Sequence, residues 1–116
     1  MPLSDEDRWY CKQNGYYRLP EPLPDDLIDR LNQATDREIA TMREPIVWEN
    51  KDARNPAAIR RLSKILARDP AYMEAATYPL ILDALANFLG PNIELLTNKH
   101  NHLMVRPPGS EVVPWH

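Results

Sequence analysis

Three histidines carry the residue types and spacings in this chain that could hold a metal: His100, His102 and His116. His100 and His102 are two positions apart in an extended-looking run, which would put both imidazoles on one face of a strand. The turn Pro107-Pro108-Gly109 leads to Val113-Pro114-Trp115-His116, which reads as the approach to a metal-binding turn. Imidazole suits iron, zinc, copper and nickel alike, so the spacing selects no metal. The other reading at this level is a solvated pair of strand histidines and an unrelated third one. Arg106 has the same strand parity as His102. It is either an anchor for a carboxylate or a solvent-facing charge at a strand end. Lys99 has the opposite parity, and a bulge near Asn98 would bring it round to the histidine face.

These residues must be positioned by the elements around them. Residues 93–106 alternate with period two. One phase (Ile93, Leu95, Leu103, Val105) is apolar at both ends, and the other is polar and titratable from Asn98 onward. That pattern predicts one long strand, or two joined near Asn98-Lys99. Gly90-Pro91 is a helix stop ahead of it. Upstream, the sequence predicts a short helix or turn over 5–14 closed by Gly15, a short strand over 16–19, and a proline-rich break over 20–24. An amphipathic helix is predicted over 26–43, with Asp25 or Asp26 as its cap and Ile28, Leu31, Thr35, Ile39 and Met42 on its inner face. Pro45 ends it. A polar loop over 46–56 is expected to be pinned by Ile46, Val47 and Trp48. Asn55-Pro56 and Asp69-Pro70 are matching helix-start signals. The first predicts a helix burying Ile59, Leu62, Ile65 and Leu66. Tyr78-Pro79 predicts a restart, with Leu82, Leu85, Phe88 and Leu89 as a buried stripe.

Composition bounds the partners. The chain has 116 residues, a net charge of −3, and scattered Lys and Arg with no basic stripe, so nothing argues for nucleic acid. One cysteine, Cys11, excludes an internal disulfide and suits a reducing compartment. It reads as a half-buried small hydrophobe rather than a reactive thiol. The start is acidic, there is no apolar run of membrane-spanning length, and mean hydropathy is −0.56. A cytoplasmic protein without a membrane partner is expected. There is no phosphate loop, nucleophile elbow or paired-carboxylate pattern.

The segments Phe88-Leu89-Gly90-Pro91-Asn92-Ile93-Glu94-Leu95, Lys99 to Ser110 and Val113-Pro114-Trp115-His116 resemble the phytanoyl-CoA dioxygenase family. Asn14-Gly15-Tyr16-Tyr17-Arg18-Leu19-Pro20 is similar to that family's opening strand. The resemblance implies a non-haem Fe(II)- and 2-oxoglutarate-dependent oxygenase that uses O2 on a small organic substrate. It implies an α+β fold in which 1–91 is mainly helical and 92–116 begins a double-stranded β-helix, the jelly-roll or cupin-like core, all within one domain over 1–116. His116 becomes the first metal ligand of an H-x-D pair. Lys99, His102, Met104, Arg106 and Trp115 fall in the cosubstrate-binding stretch, and His100 lines the pocket. Arg106 stands where the family usually has lysine. The remaining ligands and the arginine that grips 2-oxoglutarate have no counterpart here. The chain alone is therefore expected to be inactive, and to self-associate through unpaired strand edges. Two other readings stay open: a non-catalytic binding paralogue, and a cupin-like metal protein using His100, His102 and His116 together.

Overall fold

In the computed structural model, residues 3–49 and 54–106 are described, so Trp115, His116 and the proline turn before them lie outside the described residues. Among the described residues, four α-helices and a three-stranded antiparallel sheet make an α+β fold.

The helix boundaries follow local chemistry. Helix α1 (Asp5–Asn14) starts at Ser4, whose hydroxyl accepts the Asp7 N–H while the Asp7 carboxylate accepts the Ser4 N–H. It ends at Gly15, which takes the left-handed conformation (φ +77°) that costs glycine nothing. Residues 16–19 form no strand. Helix α2 (Asp25–Thr41) is capped by the Pro24 position without a side-chain hydrogen bond, so Asp25 and Asp26 occupy the first turn rather than the cap. Strand β1 (Ile46–Trp48) lies within the stretch expected to be a polar loop. Ile46 and Trp48 do pin it to the core, whereas Val47 is exposed.

Asn55 caps and Pro56 opens a helical turn, as expected, but only one 3-10 turn follows (Pro56–Ala58). The predicted second helix is strand β2 (Ile59–Ser63). The spacing of Ile59, Leu62, Ile65 and Leu66 imitates a helical period. Pairing on both sides with β1 and with β3 (His102–Met104) overrides it. Lys64, in the left-handed region (φ +53°), ends the strand and starts a 3-10 turn over Ile65–Ala67. Helices α3 (Pro70–Ala76) and α4 (Pro79–Leu89) begin where Asp69-Pro70 and Tyr78-Pro79 indicate. The region expected to be mainly helical thus supplies two of the three strands.

The core lies between one sheet face and the α2, α3 and Ile65–Ala67 layer. Ala34, Ile59, Leu62, Ile65 and Tyr72 are buried at its centre, ringed by Leu31, Ile39, Met42, Leu66, Leu103 and Val105. On the inner face of α2, Leu31, Ile39 and Met42 pack against the core as expected, and Thr35 meets Tyr72. Leu27, Ala34 and Glu38 are the buried positions, and Ile28 is exposed. Glu38 is only 3% exposed. Its carboxylate accepts from Arg68 (3.0 Å) and Arg43 (2.5 Å). Arg68, with a side chain 4% exposed, also donates to the carbonyls of Ser63 (2.9 Å), Arg43 (2.6 Å) and Pro45 (2.6 Å). Arg37–Asp69, Arg30–Glu74 and a Thr35–Tyr72 hydroxyl contact (2.9 Å) clamp α2 to α3.

Helices α1 and α4 form a looser arm. Asn87 on α4 accepts from the Leu3 N–H and from Arg8, and Tyr17 meets Phe88 edge-on at 6.0 Å. Two cavities of about 250 and 260 Å³ remain beside Tyr17 and Leu19 at this seam. The stripe of Leu82, Leu85, Phe88 and Leu89 is therefore not buried; Leu89 is 66% exposed. The radius of gyration, 16.8 Å, exceeds the roughly 13 Å of a compact chain this long.

Removing one member of the buried pair leaves an uncompensated charge. Glu38→Ala should cost about 3–5 kcal/mol in urea unfolding. Arg43→Ala should cost about 1 kcal/mol or less, because that side chain is 58% exposed. Equal losses would contradict the assignment of Arg68 as the essential partner.

Candidate functional site

Strand register decides which side chains share a surface. Ile46 pairs with Leu62 and Leu62 with Leu103, and these face the core. By alternation the opposite face carries Val47 opposite Arg61, Arg61 opposite Met104, and Ser63 opposite His102. Of the residues singled out from sequence, His102 and Met104 therefore lie on one face of β3, turned away from the core.

The rest of the expected long strand does not form. Residues 92–101 are irregular, and regular pairing is confined to His102–Met104. His100 takes a left-handed conformation (φ +54°), uncommon for a side chain with a Cβ, and this breaks the run. Parity thus fails at His100, yet its ring still comes within 6.1 Å of the His102 ring, centroid to centroid, at a 38° tilt. Lys99 is exposed in the irregular segment. Arg106 is exposed two residues past the end of β3, so the parity expected for it has no strand to act through.

Asn101 fixes this segment. Its side-chain oxygen accepts the Leu66 N–H (3.1 Å), its amide donates to the Thr97 carbonyl (3.1 Å), and its own carbonyl accepts the Ile65 N–H (3.3 Å). One residue therefore holds the loop against the 3-10 turn and delivers His102 into the ladder. On the other side the Val105 N–H bonds the Arg60 carbonyl at 2.9 Å.

The register also brings Arg61 to this face, a residue that the helical spacing of Ile59, Leu62, Ile65 and Leu66 conceals in the sequence. Its guanidinium Nε is buried with no hydrogen-bond partner among the described residues. Burial holds the His102 imidazole below its ordinary pKa of 6.5, and the positive charge of Arg61 and the neighbouring His100 push it the same way. Near neutral pH His102 is thus an uncharged imidazole, one nitrogen donating and the other accepting. The face offers a cation, a neutral imidazole, the Ser63 hydroxyl and the Met104 thioether. A guanidinium beside an uncharged imidazole and a hydroxyl is a donor set suited to a carboxylate. Among the described residues no three His, Cys, Asp or Glu side chains gather as a metal site.

No family model, curated protein or solved structure matches the chain.

The lowered His102 pKa gives a signed pH effect. Below pH 6.5 the unfolded chain takes up a proton that the native imidazole refuses. The stability is therefore complete above pH 6.5 and is lost as pH falls toward the native value. Comparing urea midpoints between about pH 7.5 and about pH 5, His102→Asn should lose less stability than the parent chain. An unchanged slope would refute this placement of His102.

Proposed function

We propose that this chain is the N-terminal part of a non-haem Fe(II)- and 2-oxoglutarate-dependent dioxygenase of the phytanoyl-CoA dioxygenase type, acting on a small organic substrate. On this reading the three strands are the opening part of its jelly-roll sheet. The observation that carries the reading is the division of the sheet. Helices cover one face, while the other presents His102, Met104 and Arg61. A sheet whose face opposite the helices is polar and titratable suits the inner wall of a ligand-holding sandwich. The chain also contains no helix long and apolar enough to cross a membrane among its described residues.

In this reading His116 supplies the first iron ligand, and the other ligands come from residues that follow it in the complete gene product. Two histidines and a carboxylate leave open positions on Fe(II), and the bound metal supplies O2 activation. This chain's own part is to bind and orient. His102 contacts 2-oxoglutarate, with Met104, Lys99, Arg106 and Trp115 around it and His100 at the rim. Asn101 sets the position of His102. The sheet backs the pocket and helps to exclude water from it.

A second reading takes its support from the closeness of the His100 and His102 rings: a cupin-like metal protein completed by His116. It requires metal binding by these 116 residues, lost in His100→Ala.

The complete gene product, loaded with Fe(II), should convert 2-oxoglutarate to succinate, and His116→Ala should reduce that at least about 100-fold. The 116-residue chain alone should be inactive and should self-associate in light scattering through its open strand edges. A complete gene product lacking an acidic residue two positions after His116 would sink the proposal, as would full activity in His116→Ala.

A further inference from the structure

We propose that Arg61 anchors a carboxylate-binding site on the sheet face opposite the helices, with His102 and Ser63 as neighbouring hydrogen-bonding groups. The inference starts from an imbalance. Arg30, Arg37, Arg43 and Arg68 each meet a carboxylate of this chain. Arg61 is held in the central strand with its Nε buried and without an acceptor among the described residues. A guanidinium N–H removed from water and left unpaired is costly, and a carboxylate is its best-matched partner because two parallel N–H···O bonds fit the planar fork.

The register supplies the rest of the site. Arg61 stands opposite Met104, and Ser63 stands opposite His102, so Arg61 and His102 are diagonal neighbours on one face. Such neighbours lie about 7–8 Å apart, which a carboxylate between two side-chain heads can span. Val47, Arg61, Ser63, His102 and Met104 lie on this face and none of them is acidic; the bulge opposite Val47 and Trp48 leaves Arg60 beside Arg61, between the two core-facing residues Ile59 and Leu62. An incoming anion thus meets cationic side chains and no like charge from these strand positions. The backbone under Arg61 is pinned: its neighbour Leu62 is fully buried, and Arg68 holds the carbonyl of Ser63. Such rigidity suits a site formed before its ligand arrives.

The carboxylate has two sources, 2-oxoglutarate or an acid group on the organic substrate, and assigning it to either rests on the oxygenase reading above. The binding itself does not. The test is an NMR titration of the metal-free 116-residue chain, following the Arg61 Nε–H and His102 ring signals. The probes are 2-oxoglutarate, glutarate, acetate and sulfate. Saturable shifts at both residues are expected. A preference for 2-oxoglutarate and glutarate over acetate assigns the site to the cosubstrate, and equal binding of acetate assigns it to a substrate carboxylate. Arg61→Gln should weaken binding by about tenfold or more, with Arg61→Lys intermediate. The Leu62 and Leu103 methyl signals report whether each variant keeps the fold. If Arg61→Gln unfolds, the parent titration and Arg61→Lys decide. No saturable shift with any carboxylate, or shifts equal to those from sulfate, overturns the proposal. Carboxylate binding here without 2-oxoglutarate turnover by the iron-loaded complete gene product would leave this site standing and remove the oxygenase reading.

Discussion

The structure depends on one buried ion pair, Glu38 with Arg68. Both side chains are almost wholly removed from water. Attraction alone repays that desolvation poorly, and it needs hydrogen bonds to the remaining donors and acceptors. Here they are present. Arg68 reaches three carbonyls besides Glu38, and Arg43 takes the second oxygen of the carboxylate. The groups joined come from the end of α2, the 43–45 connection, the end of β2 and the turn beyond it. None of these pieces can be placed without the others, because any one misplaced leaves a charge or a carbonyl unpaired in the interior. The pair therefore specifies the fold as much as it stabilises it.

That constraint reaches the candidate site through β2. Arg68 binds the carbonyl of Ser63, and the Ser63 N–H bonds the Pro45 carbonyl at 3.1 Å. The strand is thereby fixed at the end where Ser63 faces His102. Leu62 points into the core, so Arg61 and Ser63, on either side of it, must point out of the opposite face. Asn101 does for β3 what Arg68 does for β2: it ties the approach of the strand to the same 3-10 turn. The two latches meet at residues 63–68, and the face they orient lies on the far side of the sheet.

The parts of this arrangement legible in the sequence are those decided within a few residues. Asn55-Pro56, Asp69-Pro70 and Tyr78-Pro79 each start a helical element, and Gly15 and Gly90 close theirs, because φ restriction and capping are local. What tertiary pairing decides was not legible. Ile59 and Leu62 have helical spacing, and only the strands on either side make them a strand. The alternation over 93–106 was real at His102–Met104, where β2 offers a partner, and failed upstream, where none of the described strands does. With Asp25, Asp26, Asp29 and Asp36, Glu38 reads from the sequence as part of a solvated acidic helix face, whereas it is 3% exposed. It continues the buried line of Leu27, Leu31 and Ala34, and an acid on that line demands a buried cation. Nothing in the text named Arg68 as that cation. On this face the period-two pattern marked His102 as a strand residue, and it did not mark Arg61, whose place depends on a strand that the pattern disguised.

The character of the face opposite the helices argues for an enclosed use of it. A surface that spends its life in water has no reason to hold an arginine Nε buried and unpaired, because a small rotation would hydrate it. A surface that packs as core would not carry an arginine, a serine and a histidine side by side. The intermediate case is a wall lined by a few polar groups among apolar ones, such as Val47 and Met104 beside Arg61, Ser63 and His102. Small-molecule sites have that composition. With His102 kept uncharged by burial and by Arg61, the fixed positive charge of the wall resides on guanidinium groups, whose planar fork suits a carboxylate.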